Sequence, residues 1–153
     1  MTSATGQFQI DRTIAAPPAR LWSLLTDPQA REAWGAPSDD AVLILDTADL
    51  REGGQERHRC GPKEAPDFIV DTHWYHLDAP VLACFTETLT IGTDRLAVSL
   101  VTYRLAPADT GCHLSVEVAV SSMSDEPVTE DFHGGWTSSL DRLERMIADR
   151  AFA

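Results

Sequence analysis

Residues 130–151, EDFHGGWTSSLDRLERMIADRA, constrain the fold more than any other stretch. Apolar residues fall at Phe132, Trp136, Leu140, Leu143 and Ile147, at steps of four, four, three and four. That recurrence marks one face of a helix, whose period is about 3.6 residues. Ser138, Asp141, Arg142, Glu144, Arg145 and Asp149 occupy the opposite face and read as solvent-facing. A helix of this length gains most of its stability by burying its apolar face against something else. The rest of the chain reads mostly as strands, so a sheet is the expected partner, with an apolar pocket between the two.

The chain of 153 residues is expected to form one domain, 1–153, with room for a real core. Its net charge of −12 comes from 24 acidic and 12 basic residues, and only Lys63 among the latter is lysine. Nucleic acids and anionic membranes demand a basic face, and no basic window exists to supply one. No apolar run is long enough to span a bilayer, and MTSATGQFQIDR lacks the features of a secretion signal. A cytoplasmic location is the expectation. Cys60, Cys84 and Cys112 are too few and too scattered for a disulfide framework. They read as reduced, with Cys84 in the core.

Taken in order, 8–14 alternates apolar and polar residues as a half-buried strand does. Pro17-Pro18 ends it and suits the first turn of a helix, whose buried stripe is Leu21, Trp22, Leu24 and Leu25. Thr26-Asp27-Pro28 breaks that helix and Pro28 opens a second short one, ending at Gly35. Strands are then expected over 42–46, 55–60, 68–77, 81–89, 96–105 and 112–120, with a hairpin loop at 61–66. In 68–77, Phe68, Val70, Thr72, Trp74 and His76 would share a face. In 112–120, Leu114, Val116, Val118 and Val120 oppose Ser115, Glu117 and Ala119. Short turns between strands imply antiparallel pairing. The layout is α+β, with two short helices after strand 1 and helices on one face of one sheet.

Four stretches carry a resemblance: APPARLWSLLTDPQAREAWG, YHLDAPVLACFTETL, VTYRLAPADTGCHLSVEVAV and GGWTSSLDRLERMI. In this order, over roughly residues 8–149, they resemble the START-like (SRPBCC) superfamily. The branch they resemble most is that of the activator of heat-shock-protein ATPase homologues, together with small polyketide cyclase-like bacterial proteins. The loop at 61–66 and the strand before it depart from the pattern. The resemblance implies a helix-grip fold: a curved antiparallel sheet of about seven strands wrapped round the long C-terminal helix. It also implies a cavity for an apolar or amphipathic small molecule, such as a lipid or polyketide, and no particular reaction.

Pockets are mostly apolar with a few orienting polar groups. The apolar candidates for ligand contact are Trp34, Phe68, Val70, Trp74, Phe85, Val101, Tyr103, Val116, Val118, Phe132 and Trp136. For any one of them core packing is the favoured reading, except Trp34 and Trp136, which lie at the ends of helices that resemble cavity walls. His58 and His76 are candidate polar contacts. His73 and His76, three apart on a strand, face opposite ways unless a bulge intervenes, so neither a metal nor another cofactor is expected. Glu87 follows Phe85 on the same strand face. A carboxylate in a dry pocket resists ionising and can serve as acid or base, which makes Glu87 the catalytic candidate, with Tyr103 or His58 as partner. The other reading of Glu87 is a solvated strand residue. Cys84 lies on the opposite face. No Gly-x-Ser-x-Gly or phosphate-loop pattern occurs. Three functions follow in order: small-molecule binding, a polyketide cyclase or aromatase-like enzyme, and a co-chaperone-like protein–protein role.

Overall fold

The computed structural model describes residues 4–152. Strand β1 (Ala4–Ile14) leads into helices α1 (Pro18–Thr26) and α2 (Pro28–Trp34). Six strands follow: β2 (Ala41–Thr47), β3 (Gln55–Pro62), β4 (Phe68–Asp78), β5 (Leu82–Ile91), β6 (Asp94–Ala108) and β7 (Gly111–Ser122). Helix α3 (Thr129–Ala148) closes the order. Prolines stand in the first turns of α1 and α2, where a missing N–H leaves nothing unpaired. Asp27 separates the two helices. Its N–H donates to Ser23 O at 2.9 Å, and its carboxylate accepts from Gln29 N at 3.1 Å, capping α2.

The strands form one antiparallel sheet in the order β1-β7-β6-β5-β4-β3-β2. Hairpins join β2 through β7 stepwise, whereas the two short helices carry the chain from β1 at one edge to β2 at the other. β1 then pairs with β7 without interruption from Ala4↔Ser122 to Ile14↔Cys112. The curved inner face of the sheet and α2 pack against α3, which buries Trp136, Ser139, Leu140 and Leu143. Leu21, Leu140, Leu143, Val101 and Val116 are each 0% exposed. Burying an aliphatic side chain this completely stabilises by roughly 1.5–3 kcal/mol. Among the described residues no helix is long and apolar enough to cross a membrane.

The alternation expected in 112–120 is present, with Leu114, Val116, Val118 and Val120 all buried. Other details differ. Trp74 pairs with Phe85, but His76 pairs with Cys84, because a bulge interrupts the register between Trp74 and His76. The extra residue, Tyr75, turns His76 to the outer face instead of the face of Phe68 and Trp74. His76 is exposed there, with Nδ1 3.2 Å from Glu52 Oε2. The bulge also puts His73 and His76 on one face, yet among the described residues no three His, Cys, Asp or Glu side chains group to hold a metal. Cys84 is only half-buried on that outer face, and the buried thiols are Cys60 and Cys112. Helix α3 stops at Ala148, with Asp149 capping it, and does not continue to Ala151. β3 extends through Pro62, so the hairpin loop is 63–67. Arg142, expected in water, is largely covered: it reaches back to the chain after α2.

Candidate functional site

Helix α2 is about two turns long, and Arg31 and Trp34 fall three apart on its inward side. The Arg31 guanidinium packs against two indoles, its Cζ 5.4 Å from the Trp34 ring centroid and 5.3 Å from that of Trp136 on α3. A cation over an aromatic face is attracted by the ring quadrupole, more so where water is excluded. Trp34 is itself anchored, donating from Nε1 to Leu24 O at 2.8 Å. Arg31 Nη2 donates to Glu87 Oε2 of β5 at 2.9 Å, and the two side chains are 11% and 12% exposed. Thr72 Oγ1 donates to the same oxygen at 3.5 Å. Burial alone would weaken the charge on Arg31, but the neighbouring Glu87 carboxylate more than offsets it, so its pKa is raised.

This pair forms the floor of a cleft of about 290 Å³ between the inner face of β2–β5 and the first half of α3. Leu43, Phe68, Val70, Leu89, Phe132 and Trp136 supply most of its wall, with Gly35 and Pro37 on one rim and Asp131 also lining it. The rim is fixed by α3. Ser139 Oγ donates to Gly35 O and Ala36 O at 3.1 and 2.9 Å. Arg142 Nη1 donates to Trp34 O and Ala36 O at 3.0 and 2.6 Å, and its Nη2 to Asp39 at 2.8 Å. A larger depression, about 570 Å³, lies over β1, β5, β6 and β7. Its lining is small polar and aliphatic residues such as Thr5, Gln7 and Leu100, and no charged or aromatic group converges there.

More polar groups sit behind the floor. Glu56 is 3% exposed and accepts from Trp74 Nε1 at 3.1 Å. Burial pushes its pKa above the ordinary 4.5, although the Trp74 hydrogen bond and Arg31 pull the other way. Burial lowers His58 below 6.5, with Arg31 adding to the effect. Burial also pushes up the Tyr103 phenol and, in the cleft wall itself, the Cys60 thiol, which keeps both neutral. Arg31 Nε, His58 Nε2 and the Tyr103 hydroxyl are enclosed with no hydrogen-bond partner among the described residues. Unmade bonds of this kind are costly, and here three gather round one ion pair.

Of the residues singled out in the sequence, Phe68, Val70, Glu87, Phe132 and Trp136 meet at the cleft. Trp34, His58, Trp74, Phe85, Val101, Tyr103, Val116 and Val118 are buried in the core instead, each at most 2% exposed. Trp74, Phe85, Tyr103 and Trp136 run as a chain of aromatic contacts, centroids 4.8, 5.1 and 6.1 Å apart, from β4 to α3. Arg31 and Glu56 went unrecognised. For Arg31 a signal existed: an arginine three residues before a tryptophan shares the buried side of a short helix. Glu56 left no signal, because its strand alternates poorly.

A seven-stranded antiparallel sheet curled round a long C-terminal helix, with two short helices bridging its edges, is a helix-grip fold, and it places the chain in that α+β class. Within the class the chain belongs to the family described as activator of Hsp90 ATPase homolog 1-like protein, matched over residues 15–148. Solved structures agree on the fold. A protein of Rhizobium leguminosarum, 20% identical, superposes with a TM-score of 0.85 over 97% of both chains. One from Rhizobium loti, 21% identical, gives 0.82 over 95% of this chain and 99% of the other. A namesake of the family from Silicibacter pomeroyi, 21% identical, gives 0.76 over the same shares, 95% and 99%. No functionally curated protein matches the sequence.

Proposed function

We propose that this protein binds a small apolar or amphipathic molecule in the cleft between β2–β5 and α3. One observation carries the reading: an apolar wall converges on a covered ion pair, Arg31–Glu87, at the floor. Apolar walls with a few placed polar groups are what small-molecule sites are made of. A buried ion pair with no ligand to serve is seldom the cheapest way to fill a core. A volume of about 290 Å³ sits at the lower end for ligand sites, so the molecule is small. The acid–base alternative has less geometry behind it, because Tyr103 and His58 lie behind the floor and do not line the cleft.

Native mass spectrometry of the protein purified from its own host tests the reading. The expected result is a stoichiometric small molecule released on denaturation, and its loss in Leu89→Trp, which fills the cleft. An empty protein whose melting temperature no lipid or polyketide probe shifts would retire the proposal. The second reading, a protein–protein role, rests on the family description, which names activation of the Hsp90 ATPase. Adding the protein in stoichiometric amounts to an Hsp90-class ATPase would raise turnover on that reading and leave it unchanged on the first.

A further inference from the structure

The ion pair at the floor has two ends left over. Arg31 is engaged through Nη2 and Glu87 through Oε2. Among the described residues no hydrogen bond reaches Arg31 Nη1 or Glu87 Oε1, and neither is one of the fully enclosed unpartnered atoms, which on Arg31 means Nε alone. Both side chains line the cleft. One donor and one acceptor are therefore left free on two adjacent side chains that line it. The indoles of Trp34 and Trp136 both pack against the guanidinium, which limits how far the donor can swing.

The charges around the cleft select against an ionic head group. Arg31 is already matched by Glu87, and a second carboxylate, Asp131, also lines the cleft. A ligand carboxylate entering here passes the exposed Asp131, loses its hydration and meets a cation already engaged by Glu87. An ammonium meets the guanidinium. Burying a charge without a free counter-charge is expensive, whereas a neutral group that both accepts and donates completes both open positions.

Building on the cleft reading, we infer that the ligand is an uncharged amphipathic molecule whose head group carries a hydrogen-bond acceptor and donor on neighbouring atoms. Carboxamides and hydroxy-carbonyl compounds are the chemical class. The acceptor takes the proton of Arg31 Nη1, the donor gives to Glu87 Oε1, and the apolar body lies along Phe68, Val70 and Phe132. A site that uses its polar groups this way discriminates strongly against analogues that leave them unpaired.

Octanamide, octanoate, octylammonium and octanol, titrated at neutral pH into the wild-type protein by calorimetry, test the inference. Octanamide should bind on the order of tenfold or more tighter than either ion. In Glu87→Gln the preference should turn toward octanoate, because Arg31 then has no carboxylate opposite it. Octanoate or octylammonium matching octanamide on the wild type overturns the inference and leaves the cleft reading standing. So does octanol equalling octanamide. Binding by none of the four removes the cleft reading and the inference together. Should Glu87→Gln fail to fold, the wild-type ranking decides alone.

Discussion

Arg31 and Glu87 lie 56 positions apart in sequence and meet at 2.9 Å on the floor of the cleft. Helix α2 supplies the cation and the middle of the sheet supplies the anion, so the pair ties the edge-crossing connection to β5. Both partners are nearly covered. Removing one alone leaves a buried charge without its match, which typically costs about 3–5 kcal/mol. Arg31→Met should fall in that range by urea unfolding. The double variant with Glu87→Gln should lose clearly less than the sum of the singles. Additive losses below about 1 kcal/mol each would mean that the pair behaves like an exposed one.

Glu56→Gln separates burial from titration, since glutamine keeps an acceptor for Trp74 Nε1. Burial raises the Glu56 carboxyl above 4.5, so the fold holds a proton that the unfolded chain gives up. That advantage is complete below 4.5 and is lost as pH rises through the raised value. The variant should therefore gain on the wild type between pH 4.5 and neutrality. Unfolding free energies measured at a series of pH values check this, and a pH-independent difference would refute it.

His58 acts with the opposite sign. Burial depresses it below 6.5, so the unfolded chain takes up a proton before the fold does. Stability is complete above 6.5 and falls as pH drops from there toward the depressed value. His58→Gln should flatten this acid limb. A limb of unchanged slope would assign the acid sensitivity to other groups.

Gly111 and Gly92 both have positive φ, at 150° and 59°, but their surroundings differ. A Cβ on Gly111 would stand 2.1 Å from Ile14 O, against the backbone where β1 ends, whereas nothing lies within 4 Å of one on Gly92. Gly92→Ala should cost ~1–2 kcal/mol of conformational strain. Gly111→Ala should cost ~3 kcal/mol or more, strain and clash together. Thermal unfolding of the two variants side by side checks the order, and equal shifts would count against the β1–β7 register at that end.

Arg142 holds three acceptors on the segment after α2: Trp34 O, Ala36 O and the Asp39 carboxylate. Arg142→Met keeps much of the side chain's volume but takes the side-chain donor from Trp34 O and leaves Ala36 O with Ser139 alone. A loss of about 1–3 kcal/mol is expected, together with faster hydrogen exchange of amides over 35–40, the rim of the cleft. Unaltered exchange there would show that Ser139 alone fixes the rim.

Much of this architecture could be read from local pattern. The 3.6-residue period of α3, the prolines opening α1 and α2, and the strict alternation of β7 all follow from side-chain chemistry acting over a few residues. Phe68, Val70, Phe132 and Trp136 were legible as inward-facing residues for the same reason. His76 was not, because the bulge that turns it outward depends on how β4 registers against β5, which no short window contains. Arg142 was not either, since a charged residue on a helix reads as solvated until the chain folding over it offers carbonyls. The polar floor lies furthest from sequence reach. Arg31 sits three residues from one Trp, but its carboxylate lies on another strand and its second Trp on another helix. A buried charge is tolerable only where distant segments bring its partners together, so local chemistry determined the elements and tertiary packing alone decided the site.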